Sequence, residues 1–155
     1  MNNAAVFVDK DATSGLETTD DHLLDTYRAN VAGPMLVTQA LLPNLERSRR
    51  KLVVHISSDF ASITKAGKDN WSGYLAYRSS KAALSMVHVL LANELRPRGV
   101  TCLAVHPGWV QTDMGGPDAQ ITTEQSVSAM LKVIDRATLA DTAKFFSYTG
   151  DELPW

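Results

Sequence analysis

A single cysteine, Cys102, occurs in the 155 residues. One thiol excludes an intrachain disulfide and every cysteine-rich zinc site, and its place inside the apolar run 100–105 predicts a buried thiol in a reducing compartment. An excess of charge is also missing: 15 Lys and Arg against 17 Asp and Glu leave a formal net charge of −2. That balance offers no bulk attraction to nucleic acid or anionic lipid. The one basic run, Arg47, Arg49, Arg50 and Lys51, follows an apolar helical pattern and reads as a solvated helix end, where cations suit the negative pole of the helix dipole. No stretch approaches the ~20 apolar residues of a membrane span. The opening MNNAAVFVDKD lacks both the charged and the apolar part of a signal peptide. A cytoplasmic protein without a membrane span is therefore expected. Repeats, low-complexity segments and a ligand set for a metal are absent as well.

What is present is a hydrophobic content of 45%, which at this length predicts one domain with a real core over residues 1–155. Residues 1–8 turn apolar, and the polar segment 9–19, with Gly15 and several turn formers, reads as a weakly ordered loop. Thr18, Thr19 or Asp20 caps a helix expected over residues 20–46, in which Leu23, Leu24, Tyr27, Val31, Met35, Leu36, Leu41, Leu42 and Leu45 keep a helical period. Gly33-Pro34 interrupts it. Proline has no N–H for the carbonyl four residues back. Either the helix kinks and the Asn30 carbonyl is released to hold a water, or one helix ends there and another begins.

Residues 52–56 and 100–105 are β-branched runs of the kind buried in parallel sheets, and they end at Ser57-Ser58 and His106-Pro107-Gly108. His55 and His106 in these runs read as core histidines. Residues 59–72 form a polar loop. A long helix follows, apolar nearly all round from Lys81 to Leu95, so it should be covered on more than one side. Thr122 and Gln125 form a capping box for a helix with Val127, Met130, Leu131 and Ile134 on one face. Residues 144–148 are a last short strand. Strands alternating with helices predict an α/β fold with a parallel sheet and right-handed crossovers, although three strands are few for one.

The stretch 73–95, GYLAYRSSKAALSMVHVLLANEL, places Tyr77 and Lys81 one turn apart on one helix face. A phenol titrates near 10 and serves as a proton donor near neutral pH only when a cation stabilises its phenolate, the role open to Lys81. By itself the pair is better described as an aromatic ring packed on a lysine stem. The neighbouring motifs favour chemistry.

Asn2-Asn3-Ala4-Ala5, Asn30 before Gly33, Ile56-Ser57-Ser58, Tyr77-x-x-x-Lys81 with Ser80 before the lysine, and Pro107-Gly108-Trp109-Val110-x-Thr112 occur in this order. Each is weak singly. Together, at strand ends and helix starts, they resemble the C-terminal two thirds of a short-chain dehydrogenase/reductase. The run 106–117 and the Leu153-Pro154-Trp155 tail are similar, more narrowly, to the branch that contains the C-factor protein and the sniffer-like carbonyl reductases.

The resemblance implies the C-terminal part of a Rossmann-like doubly wound parallel sheet, about three strands with flanking helices. It also implies hydride transfer between NAD or NADP and a small carbonyl or alcohol. By that resemblance Ser58 polarises the carbonyl and Tyr77 passes the proton. Lys81 lowers the phenol's pKa and binds the nicotinamide ribose, and the Asn30 backbone holds a relay water. Pro107, Gly108, Val110 and Thr112 meet the nicotinamide carboxamide, and Asn3 and Ala4 the adenine-side ribose. Helices 20–46 and 77–95 pair in a homodimer.

The sequence departs from the family in having no G-x-x-x-G-x-G or G-x-G-x-x-G, the loop that cradles a pyrophosphate. Ala5 also stands where the family has glycine and is expected to crowd the cofactor. The domain therefore reads as truncated: a catalytic half without the phosphate-binding half, binding dinucleotide weakly and leaving the outer edge of strand 52–56 open. Two further readings stand beside the oxidoreductase. One is a non-catalytic, C-factor-like signalling or interaction protein on the same scaffold. The other is hydrolysis by Ser58, Tyr77 and Lys81, which has no G-x-S-x-G elbow to support it.

Overall fold

A computed structural model describes residues 1–155. Strands β1 (Leu52–Ile56), β2 (Thr101–His106) and β3 (Lys144–Ser147) form one parallel sheet in the order β1-β2-β3. Val54 lies opposite Leu103, and Val105 opposite Phe146. The strands fall where the apolar runs placed them, with the ends of β2 and β3 shifted by one residue. Around the sheet are helices α1 (Asp20–Tyr27), α2 (Gly33–Ala40), α3 (Leu42–Arg47), α4 (Ile63–Ala66), α5 (Leu75–Leu95) and α6 (Thr123–Arg136).

Alternation along the strands sends neighbouring residues to opposite faces. On one face Val54, Ile56, Leu103 and Val105 pack with Met130 and Ile134 of α6. On the other, Val53 and the fully buried Cys102 pack with Ala92 and Leu95 of α5. Burial pushes the Cys102 thiol up to about 11, which keeps it an inert core group. The Thr122–Gln125 capping box starts α6 as its sequence predicts.

Helix 20–46 is not one helix. Thr19 caps α1, accepting from the His22 N–H. The backbone then widens to a π turn over Arg28–Ala32, with the Gly33 N–H donating to the Arg28 carbonyl, and continues as α2 with Pro34 in its first turn. The chain thus neither simply kinks nor stops at Gly33-Pro34. A five-residue period absorbs the proline, the kind of bulge that often accompanies functional sites. A second break at Leu41, followed by Pro43, starts α3.

Two loop expectations also change. Segment 9–19 is anchored: Asp9 is buried, Ser14 caps a 3₁₀ turn over Gly15–Glu17, and Glu17 accepts from the Thr13 and Ser14 N–H groups. The polar stretch 59–72 contains α4, capped by Ser62. At the outer edge of β1, Asn2 alone bridges to His55, its N–H donating to the Val54 carbonyl at 2.7 Å and its carbonyl accepting from the Ile56 N–H at 2.9 Å.

Candidate active site at the carboxyl edge of the sheet

The first turn of α5 is fixed from a distance. Tyr74 enters it in the left-handed region (φ 58°) without offering a side-chain cap. The cap comes instead from Asp9, whose carboxylate accepts from the Ala76 N–H at 2.7 Å and the Tyr77 N–H at 3.3 Å. A carboxylate there satisfies orphan donors and suits the positive helix pole. The Tyr77 ring stacks on Phe7 with centroids 4.4 Å apart, so the segment after Ala5 both caps the helix and clamps its tyrosine.

Three of the expected catalytic groups converge here. Ser58 ends the β1 connection as the N-cap of a 3₁₀ turn over Asp59–Ala61, its Oγ accepting from the Phe60 N–H. Ser58, Tyr77 and Lys81 are all buried. Burial raises the Tyr77 phenol to about 12; the Ser58 hydroxyl pulls against that rise and Asp59 adds to it. The expected lowering by Lys81 is not seen. The ammonium lies 5.7 Å from the Tyr77 ring centroid and donates to the Ile56 carbonyl at 3.1 Å. Desolvation brings Lys81 down to about 8, so near that pH its proton is itself loosely held.

Asn30 acts first as a brace. Its Oδ1 accepts from the Val6 N–H at 2.8 Å, and its Nδ2 donates to the Val6 carbonyl at 2.9 Å and to Ser80 Oγ at 3.1 Å. Ser80 in turn donates to the Tyr77 carbonyl. The π turn, the N-terminal segment and α5 are thereby tied together, and only the Asn30 backbone is left for a relay role.

Pro107 to Thr112 leave the end of β2 and fold back on residue 121. Val110 bridges to Ile121, the Gln111 N–H donates to the Ile121 carbonyl, and the Pro107 carbonyl accepts from Ser126 Oγ at 2.6 Å. Gly108 has φ 85°, and a Cβ there would come within 2.7 Å of Ile121 Cδ1 and 2.9 Å of the Tyr148 ring. The Thr112 hydroxyl is spent internally, accepting from the Gly115 N–H and donating to the Val110 carbonyl. Asn3 and Ala4 are exposed, and Ala5 is half-buried.

His106 is not a core histidine. It is half-buried, its Nδ1 accepts from the Asp59 N–H, and Nε2 stands 3.7 Å from the Asp59 carboxylate. His55 is fully buried and paired with His88, Nδ1 to Nδ1 at 2.9 Å. No group of three His, Cys, Asp or Glu side chains is placed to hold a metal, and no helix is long and apolar enough to cross a membrane.

The sequence model of the family described as short chain dehydrogenase matches residues 1–123. The chain belongs to this family. It is 45% identical over 130 residues to the C-signal of Myxococcus xanthus, covering 84% of this chain and 76% of that protein. An uncharacterized oxidoreductase of Saccharomyces cerevisiae is 37% identical over 151 residues, covering 88% of this chain but 58% of that protein. Among solved structures, an NADPH-bound carbonyl reductase from chicken fatty liver superposes with a TM-score of 0.90 at 32% identity, and the carbonyl reductase Sniffer of Drosophila melanogaster with 0.91 at 29%. Each superposition covers 99% of this chain and 64% of the reductase. The chain thus spans under two thirds of those oxidoreductases but three quarters of the C-signal.

For a nicotinamide dinucleotide, the residues present offer donors at Lys81. Lys81 spends one of its three N–H donors on Ile56, leaving two beside Tyr77. The sequence has no G-x-x-x-G-x-G or G-x-G-x-x-G loop for the phosphates. The one adjacent glycine pair, Gly115-Gly116, belongs to the turn closed on Thr112, where a Gly115 side chain would collide with the Val110 carbonyl.

Proposed function

We propose that the chain carries the catalytic half of an NAD- or NADP-dependent oxidoreductase acting on small carbonyl or alcohol compounds. The observation that carries this reading is the convergence of Ser58, Tyr77 and Lys81 at the carboxyl edge of the sheet, where open α/β sheets bind ligands. The nicotinamide group, when bound, supplies or accepts the hydride. Ser58 donates a hydrogen bond to the carbonyl oxygen, and Tyr77 delivers its phenolic proton to that oxygen as it becomes an alcohol. The resulting phenolate draws on the Lys81 ammonium, which has only to turn from the Ile56 carbonyl. A phenol raised to about 12 keeps its proton until that moment. The Asn30 backbone is the proposed anchor of the relay water. Pro107, Gly108, Val110 and Thr112 flank the nicotinamide, and Asn3 and Ala4 the adenine-side ribose.

With no pyrophosphate cradle, dinucleotide binding by these 155 residues rests on the nicotinamide end alone. Millimolar affinity or weaker, about 4 kcal/mol, is the expected outcome. Calorimetric titration with NADH and NADPH decides it, and micromolar affinity would mean that the phosphates find a site among these residues. Turnover of an aldehyde at saturating dinucleotide tests the oxidoreductase reading itself.

A second reading has its own support. The C-signal is itself short: 130 aligned residues make up 76% of it, so it holds about 170 residues. A signalling or interaction role without turnover is therefore proposed as the alternative, favoured if the purified chain turns over no carbonyl at saturating dinucleotide. Either role fits a homodimer through segments 20–46 and 77–95, because Leu24, Leu36, Val37 and Leu41 on one segment and Met86 and Leu90 on the other are exposed. A monomeric mass at micromolar concentration would sink the dimer.

A further inference from the structure

A pocket of about 270 Å³ is lined by Asp59, Phe60, Lys65, Lys68, Asp69 and Arg78. Two of these are chain neighbours of the proposed catalytic groups. Asp59 follows Ser58 and Arg78 follows Tyr77, so the pocket is built on the same 3₁₀ turn and the same start of α5 that carry the chemistry. Its charge is unbalanced, with three cations against two carboxylates. Lys65 is paired with Asp59 at 3.3 Å, whereas Lys68 is exposed and has no ionic partner.

Arg78 is the decisive residue. Its side chain is only 11% exposed, and its guanidinium carbon lies 5.4 Å from the Phe60 ring centroid and 5.3 Å from that of Trp71. Two aromatic rings hold it in place. Its polar partners are poor: Nη1 reaches the Trp71 carbonyl at 3.4 Å and Nη2 reaches Asp69 at 3.5 Å. Charge-assisted N–H···O bonds close to about 2.7–2.9 Å. A guanidinium has five N–H donors, so this one is fixed by stacking, largely withdrawn from water and left under-satisfied. Asp69, its only anionic partner, is 53% exposed and free to swing into solvent.

We infer that this pocket is an anion subsite, and that the carbonyl compound it serves carries a carboxylate. The planar carboxylate matches the guanidinium fork and displaces Asp69, with Lys68 as second cation, while the carbonyl end faces Ser58 and Tyr77. With Asp69 displaced, Lys65 stays paired with Asp59 while Arg78 and Lys68 face the ligand, and Phe60 gives a flat or aromatic carboxylate a wall to lie on. For the carbonyl end the inference rests on the oxidoreductase reading; for the carboxylate end it does not.

The test uses the full chain without dinucleotide and compares binding of 4-formylbenzoate with that of its methyl ester, read by calorimetry. The acid is expected to bind about tenfold more tightly or better at low salt, with the gap closing at roughly 0.5 M salt. Arg78→Gln should abolish the gap. Lys68→Gln, at an exposed position that poses no risk to folding, should narrow it by about threefold. Equal binding of acid and ester, a gap that survives both substitutions, or inorganic phosphate competing as well as benzoate would each overturn the inference. Because nothing in this assay requires turnover, a chain that reduces no aldehyde yet prefers the acid refutes the oxidoreductase reading alone. A chain that reduces the ester but shows no acid preference refutes the subsite alone.

Discussion

The two faces of the sheet are built from the same three strands to opposite ends. Under α6 the layer is mainly apolar, with Val54, Ile56, Leu103, Val105, Met130 and Ile134 in contact, and the buried Ser126 is bonded to the Pro107 carbonyl. Under α5 it is apolar only at one end, where Val53, Ala92, Leu95, Val100 and Cys102 meet. Toward the carboxyl edge that same face buries His55, Ser57, Ser58, Ser80, Lys81, Ser85 and His88. Polar groups so withdrawn from water cost stability unless paired, and Ser57 Oγ and the Nε2 atoms of His55 and His88 have no partner. One face is therefore mostly apolar packing, while the other carries buried polar groups that draw on that stability.

The sharpest way to separate the faces is Tyr77→Phe, which keeps the stack on Phe7 and removes the proton. Aldehyde turnover at saturating dinucleotide should fall about 10²- to 10⁴-fold with an unchanged circular dichroism spectrum. Wild-type turnover in this variant would remove Tyr77 from the mechanism. On the opposite face Leu103→Ala, at a position with 0% exposure, should cost about 2–5 kcal/mol in urea denaturation. A loss below about 1 kcal/mol would mean that the α6 layer is not the main store of stability.

The contrast is smallest at neutral pH and grows in acid. Burial lowers His55 to about 4 and His88 to about 3, both from an ordinary 6.5. The unfolded chain therefore takes up these protons first. Their stabilising contribution is complete above the unfolded value and drains away as pH falls from 6.5 toward 4 and below. Replacing both, His55→Val with His88→Leu, leaves no unpaired imidazole and should flatten this acid limb while changing neutral stability little. Identical acid limbs in the two proteins would assign the loss to other groups.

Local pattern alone determined the strands, the α6 capping box, the buried Cys102 and the one-turn spacing of Tyr77 and Lys81. These depend on side-chain periodicity and caps within a few residues, and no distant partner is needed to read them. The positions of Ser58, Tyr77 and Lys81 at a strand end and a helix start were legible in the same way, whereas the roles proposed for them came from the resemblance of the ordered motifs to a family. Only the tertiary structure decided what holds them. The Asp9 cap of α5 acts across 67 residues, and no local signal marks an aspartate in a polar loop as a buried helix cap. The bracing by the Asn30 side chain, the His55–His88 contact and the stacking of Arg78 on Phe60 and Trp71 likewise join segments far apart in the chain. The phenol's rise to about 12 has the same origin. A helix face can set a lysine one turn from a tyrosine, but the water excluded around both, and the Ile56 carbonyl that claims the ammonium, exist only once the sheet and the N-terminal segment close over them.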